Sequence, residues 1–161
     1  MRSFSFHTLL CAVARVSLFA GTAQEQNKLP WTVQSISGDA RHEVKGTATT
    51  LAVGTQVGIG SRVSTGSGAR VILARGDERM TMSPGSEISI PAETGSMLTR
   101  IVQGMGTLLL KVQKRPDRHF EVATPYLAAV VKGSTFTVSV DPQGSAVLVV
   151  EGLVDVAAAT S

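Results

Sequence analysis

The chain has 161 residues, 43% of them apolar, which is most simply one domain with enough hydrophobic content for a core of its own. One Trp, one Tyr and five Phe make that core largely aliphatic. The formal charge of +3 includes Arg2 and Arg15 in an N-terminal leader; without these two, the 15 basic residues fall to 13 against 12 acidic ones, a net of +1, which removes the electrostatic case for nucleic acid.

Residues 1–23 open with Arg2, continue through an apolar stretch at 8–20, and end on the small residues Gly21, Thr22 and Ala23. This is the order of a secretory signal cleaved after Ala23, although Arg15 interrupts the apolar stretch; a short amphipathic anchor is the rival reading. Leu10 stands before Cys11 where a lipoprotein signal needs a small residue. Beyond the leader and a short lead-in at 24–32, no segment approaches the ~20 consecutive apolar residues of a spanning helix. The expected mature product is therefore periplasmic or secreted, without a transmembrane segment. Removal of Cys11 leaves it without cysteine, which excludes disulfides and thiolate metal sites.

From Trp31 onward, turn signals recur at Ser37-Gly38-Asp39, Lys45-Gly46, Gly54, Gly60, Gly66-Ser67-Gly68, Gly76-Asp77, Pro84-Gly85, Gly95 and Gly104. Between them lie short runs at 57–64, 70–74, 79–83, 87–90, 97–102 and 107–112. Most alternate, as where Leu108, Leu110 and Val112 oppose Thr107, Leu109 and Lys111. Residues 91–95 read as a longer loop, and 126–131 as a strand or connector rather than a helical turn. The pattern predicts an all-β single domain of many short antiparallel strands joined by tight glycine turns. Either a β-sandwich or a β-solenoid satisfies it, because the glycine-plus-strand unit has no strict period.

The most regular stretch is 120–155. Phe136, Val138 and Val140 alternate with Thr135, Thr137 and Ser139, which predicts a half-buried strand. Asp141-Pro142-Gln143-Gly144 supplies a turn, and 146–150 runs back as a hairpin partner. Glu151-Gly152 breaks the run and 153–156 resumes it, giving three strands near the C-terminus.

The order Phe120-x-Val122-x-Thr124-Pro125, then Val131-x-Gly133-x-x-Phe136-x-Val138, then Val147-x-Val149-x-x-Gly152-x-Val154-x-Val156 resembles the periplasmic domain of the FecR family, named after the ferric citrate transport regulators. Upstream, the resemblance continues through Leu51-x-Val53-Gly54-Thr55-x-Val57, Val63-Ser64-Thr65-Gly66 and Met82-Ser83-Pro84-Gly85-Ser86, so that it covers 33–156, with 157–161 as a tail. It marks Thr124, Pro125, Gly133, Phe136 and Gly152 as structural positions. Family members commonly carry Arg-Gly-Thr where this chain has Lys132-Gly133-Ser134. The resemblance implies an exported interaction or signalling accessory with an envelope protein partner, linked to iron-responsive regulation. The full regulators add a cytoplasmic anti-sigma segment, a membrane helix and a C-terminal receiving region.

The residues themselves offer little chemistry. The glycine pairs at 58/60, 66/68 and 104/106 open no helix that would hold a phosphate. Lys132-Gly133-Ser134 lacks the companion Ser-x-x-Lys motif of penicillin-binding enzymes. The mature chain has only His42 and His119 as candidate bases, and His119, beside a strand start, reads as exposed or lightly paired. Asp77 and Glu78 read as a hairpin tip. No catalytic, cofactor or metal site is expected. Gly133, between two apolar strand residues, predicts a bulge or a close backbone approach.

The most charged segment, with Lys111, Lys114, Arg115 and Arg118, is a solvated loop or else a docking patch for an acidic partner. A carbohydrate or cell-wall binding module is the alternative function, weakened by the scarcity of Trp and Tyr for sugar stacking. A small hydrolase is weaker still. Unguarded edge strands would make self-association a further property.

Overall fold

The computed structural model describes residues 29–92 and 98–159. The leader with its cleavage point, and most of the predicted 91–95 loop, lie outside the described residues.

Fourteen strands and no helix make up the described chain. They are β1 (Trp31–Ser37), β2 (Ala40–Val44), β3 (Thr47–Thr50), β4 (Gln56–Val57), β5 (Ser61–Thr65), β6 (Arg70–Arg75) and β7 (Glu78–Met82), followed by β8 (Glu87–Ser89), β9 (Thr99–Lys111), β10 (Phe120–Ala123), β11 (Leu127–Val131), β12 (Thr135–Asp141), β13 (Gly144–Glu151) and β14 (Val154–Ala158). The all-β expectation holds, and the 126–131 segment is a strand from Leu127 to Val131. The predicted run 57–64 is divided between β4 and β5 by the turn at Gly58-Ile59-Gly60.

All strands belong to one sheet that curls into a half-barrel. One half has the order β13-β12-β9-β7-β6-β1-β4, and the other β3-β2-β5-β8-β9-β10-β11-β14. The two halves face each other across a single core, where Trp31 of the first meets Phe120 of the second edge to face, their ring centroids 6.2 Å apart. This arrangement is closer to a sandwich than to a solenoid. Neighbours are antiparallel except β9 and β10, which run parallel.

The joint is β9. Its N-terminal part pairs with β8 and β10, and its C-terminal part pairs with β7 and β12. The sequence reading divided this segment at Gly104, whereas the chain continues through it as one strand of 13 residues. The burial phase changes along the way: Thr99, Ile101 and Gln103 are buried in the first part, and Leu108 and Leu110 in the second. Inward side chains keep a period of two only while a strand lies on one sheet, so the flip marks where β9 passes from one half to the other.

Gly106 makes the flip geometrically feasible. Its φ is +86°, and a Cβ there would sit 2.6 Å from the Ser86 Cβ, so neither the conformation nor the space admits a side chain. Buried Gln103 braces the bend, its amide donating to the carbonyls of Gly106 at 2.9 Å and Val138 at 3.1 Å.

Candidate functional site

Two features of the fold stand out chemically, one buried and one exposed. The buried one begins at the hairpin of β6 and β7. Arg75 and Glu78 flank the Gly76-Asp77 turn as a register pair, Arg75 opposite Glu78, with both side chains on the core side. Arg75 donates to Glu78 Oε2 from Nε at 2.9 Å and from a terminal nitrogen at 2.7 Å, with 3% and 0% of the two side chains exposed. The same guanidinium donates to Thr99 Oγ1 at 3.0 Å and lies 4.5 Å above the Trp31 ring. Burial lowers the Arg75 pKa from its ordinary value, and the neighbouring Glu78 carboxylate opposes that shift.

His119 closes the cluster. Its Nε2 is 3.6 Å from Glu78 Oε1 and its Nδ1 is 3.1 Å from the Asp117 carbonyl. This corrects two expectations. The hairpin is present but its tip is Gly76-Asp77, with Glu78 a fully buried carboxylate at the start of β7, and His119 is buried rather than exposed. Both errors have one cause: the partners that make burial affordable to a charge lie on strands distant in sequence. The cluster is packed against Trp31 and Phe120 with its charged side chains buried, and it ties β6, β7 and β9 together.

A second histidine meets a serine. His42 Nε2 lies 3.0 Å from Ser61 Oγ, beside an open cleft of about 310 Å³ lined by Glu43, Lys45, Arg62 and Ser89 among others. The sequence reading did not pair them, since the contact arises from β2 lying against β5. A serine nucleophile needs an orienting group behind its base, and among the described residues no carboxylate bonds to His42. Ser134, the other serine weighed from sequence, donates to the Leu153 carbonyl at 2.7 Å. Among the described residues no group of three or more His, Cys, Asp or Glu side chains is placed to hold a metal ion.

The exposed feature is the C-terminal pair β13 and β14. Each forms an outer edge of one half of the sheet, since among the described residues β13 pairs only with β12 and β14 only with β11. Phe136, Val138 and Val140 of β12 are buried as the alternation predicts, and their partners Val149, Val147 and Ser145 share that inward face. Among the described residues nothing covers the face beyond β13. Val149 is consequently 42% exposed and Val156 of β14 is 52% exposed, although both point toward the interior. On the outer face Leu148 and Val150 are 67% and 65% exposed, and Leu153 in the connection reaches 87%. Leu148 continues a row across Thr137 to exposed Leu109 of β9. Scattered apolar residues on a surface are ordinary, but several exposed along one edge strand and the connection that follows it are a candidate interaction surface.

The five positions marked by resemblance sit around this feature. Thr124 Oγ1 accepts from the backbone N–H groups of Tyr126 and Leu127 and lies 2.9 Å from Ser145 Oγ, tying the turn at Pro125 to the start of β13. Gly133 and Gly152 meet where β11 crosses to β12 and β13 crosses to β14. A Cβ on Gly152 would lie 2.9 Å from the Gly133 carbonyl oxygen. At Gly133, φ is +144°, and a Cβ would lie 2.6 Å from the Lys114 backbone nitrogen and 2.8 Å from the Gln113 carbonyl oxygen. The close backbone approach anticipated at Gly133 is therefore present, and it locks the end of β9 against the crossover. Phe136 is fully buried beside it.

The cationic segment frames the same corner without forming a free patch. Lys114 lies 3.4 Å from Glu151 of β13, and Arg118 lies 2.6 Å from Asp155 of β14. Arg115 is half-buried, its backbone nitrogen donating to the Lys132 carbonyl at 2.7 Å. Lys111 is exposed at the end of β9, on the outer face and in register with Arg79 and Thr135. Lys114 and Arg118 are thus matched to acids on the very strands whose apolar edges are exposed, in solvent-exposed pairs that add little stability.

Comparison with known proteins agrees with this architecture. A family model described as FecR protein matches residues 61–155, from the start of β5 to within β14. No curated protein and no solved structure matches the chain. Among the described residues no helix is long and apolar enough to cross a membrane.

Proposed function

Because the chain belongs to the FecR family, matched over more than half its length, we propose that it is a non-catalytic, exported module that docks an envelope protein through the exposed edges of β13 and β14. The observation that carries this reading is the exposure of apolar side chains on two edge strands: Leu148 and Val150 on the outer face, Val149 and Val156 on the inner face, and Leu153 in the connection. Edge strands carry unpaired backbone donors and acceptors that an incoming extended segment satisfies, while side chains on both faces supply area. The corner at Gly133 and Gly152 holds these strands rigidly, so binding does not have to order them first. Signalling in response to iron is the role that family membership favours for such docking, and the leader read from residues 1–23 directs the chain to the periplasm or beyond.

The carbohydrate reading loses support from the position of the lone Trp. Trp31 is 2% exposed and covered by Arg75, so it offers no platform to a sugar; only Tyr126, 42% exposed, remains.

Crosslinking of the tagged protein in cells grown with and without iron, followed by identification of captured proteins, tests the proposal. The expected result is capture of a defined receptor or regulator in an iron-dependent manner, with crosslinks mapping to 144–158. Charge reversal at Lys111 and Lys114 changes the encounter rate and its salt dependence more than the final complex, because both lie at the rim of the apolar surface. Capture of wall glycan alone, independent of iron, would overturn the proposal in favour of the carbohydrate reading.

A further inference from the structure

The four outer edges of the sheet are not alike. β4 has only two residues. β3 has four, Thr-Ala-Thr-Thr, and β14 carries Asp155 held by Arg118. Shortness, polarity and charge are the ordinary protections of an edge against pairing with another chain. β13 has none of them. It is eight residues long, and from Gly144 to Val150 it has no charge and no proline.

We propose that β13 pairs antiparallel with β13 of a second copy of this chain, forming a two-fold dimer with one sheet continuous through both. The proposal rests on the reading of these edges as interaction surfaces and gives β13 to a second copy, which leaves Leu153 and β14 to the envelope protein. A two-fold axis normal to the sheet places residues of like facing opposite each other only when it passes through a residue position. Centred on Val147, it sets Val147 against itself, Ala146 against Leu148, Ser145 against Val149 and Gly144 against Val150. No charge faces a charge in this register. The side chains of Ser145, Val147 and Val149, which face the core as partners of Val140, Val138 and Phe136, extend the core wall across the axis.

The alignment also avoids the one irregularity of the strand. β13 shifts register between its pairings at Val149 and Glu151, which leaves Val150 as a bulged residue at the rim of the paired segment rather than its centre.

Charge at the two ends of the hairpin favours the same orientation. The tip carries Asp141, whose Oδ1 accepts from the Gln143 and Gly144 backbone nitrogens. The opposite end carries Lys114 and exposed Lys132 beside Glu151. Antiparallel pairing brings the acidic tip of each copy beside the cationic end of the other, whereas parallel pairing would bring like ends together. A heterologous strand would gain the backbone bonds but would match both the uncharged register and this polarity only by coincidence.

The purified protein in sedimentation equilibrium should show a reversible monomer–dimer equilibrium. The double variant Leu148→Glu/Val150→Glu, at two exposed positions that do not support the monomer's core, should weaken it at least tenfold with an unchanged circular dichroism spectrum. The register is read from single cysteines introduced after removal of the leader. Val147→Cys crosslinks to itself on mild oxidation, while Val149→Cys does not, because its copies stand about 13 Å apart at ~3.3 Å per residue.

A protein that stays monomeric at every concentration would overturn the proposal, as would a dimer indifferent to the double variant or crosslinked equally at both cysteines. The two readings fail separately. A monomeric protein that still captures an envelope protein through 144–158 sinks the second-copy assignment alone, and an intact dimer with no capture under any iron condition sinks the docking function alone.

Discussion

Removal of Glu78 is the most informative single perturbation of the core. The Glu78→Leu variant leaves the Arg75 guanidinium, 3% exposed, without the carboxylate that receives two of its N–H groups at 2.9 and 2.7 Å. Deleting one partner of a buried ion pair costs about 3–5 kcal/mol, because the remaining charge loses that carboxylate where water does not replace it. Contact with the Trp31 ring at 4.5 Å and the bond to Thr99 Oγ1 offset only part of this. Against a total stability of about 5–15 kcal/mol, the variant approaches the edge of folding.

The double variant Arg75→Met/Glu78→Leu replaces both charges with apolar volume and should lose no more than about 2 kcal/mol, since a buried pair contributes little net stability over a hydrophobic substitute. Urea denaturation of wild type, both single variants and the double variant closes the cycle, and 4 kcal/mol corresponds to a midpoint shift of about 2 M. Single variants that each cost under 1 kcal/mol, or a double variant that costs their sum, would refute the description of Arg75 and Glu78 as a coupled buried pair.

Two further outcomes follow from the backbone and from the Ser61–His42 contact. Gly133→Ala must move backbone as well as adopt a strained φ of +144°, and should lose about 3 kcal/mol, while Gly54→Ala, at φ +88° with open space around it, should lose about 1 kcal/mol. At roughly 3–5 °C per kcal/mol for a domain of this size, thermal melts separate the two by about 8 °C, and equal melting temperatures would show that the crossover yields freely. With no orienting group behind His42 among the described residues, the purified protein should hydrolyse p-nitrophenyl acetate no faster than its Ser61→Ala variant; a rate that disappears with Ser61 would establish a nucleophile.

Local chemistry made much of the C-terminal half legible from sequence. The alternation of Phe136, Val138 and Val140 against hydroxyl residues requires one wet and one buried face whatever the surroundings, and these three are buried in β12. The turn at 141–144 has its own side-chain signals, and Asp141 caps it. Gly133 was readable as a site of close approach because a glycine between two inward apolar residues has few other uses. The cationic segment was visible as a charge run, but its ion pairs with Glu151 and Asp155 were not, because salt-bridge partners have no fixed spacing in sequence.

Period-two patterning, turn chemistry and aliphatic composition thus determined by themselves that this chain is a single all-β domain, and the order of its motifs identified its family. Tertiary structure alone decided the rest. Whether Gly104-Met105-Gly106 ends a strand or bends one depends on having β8 and β10 on one side of the bend and β7 and β12 on the other. Whether Glu78 and His119 are wet or buried depends on Arg75 and Trp31 arriving from other strands. Whether the apolar run 146–150 is core or surface depends on the position of β13 at the end of a sheet order, a property of the whole topology and not of any residue in the run. Hydrophobicity prescribes that such a run be covered; only the three-dimensional arrangement shows that none of the described residues covers it.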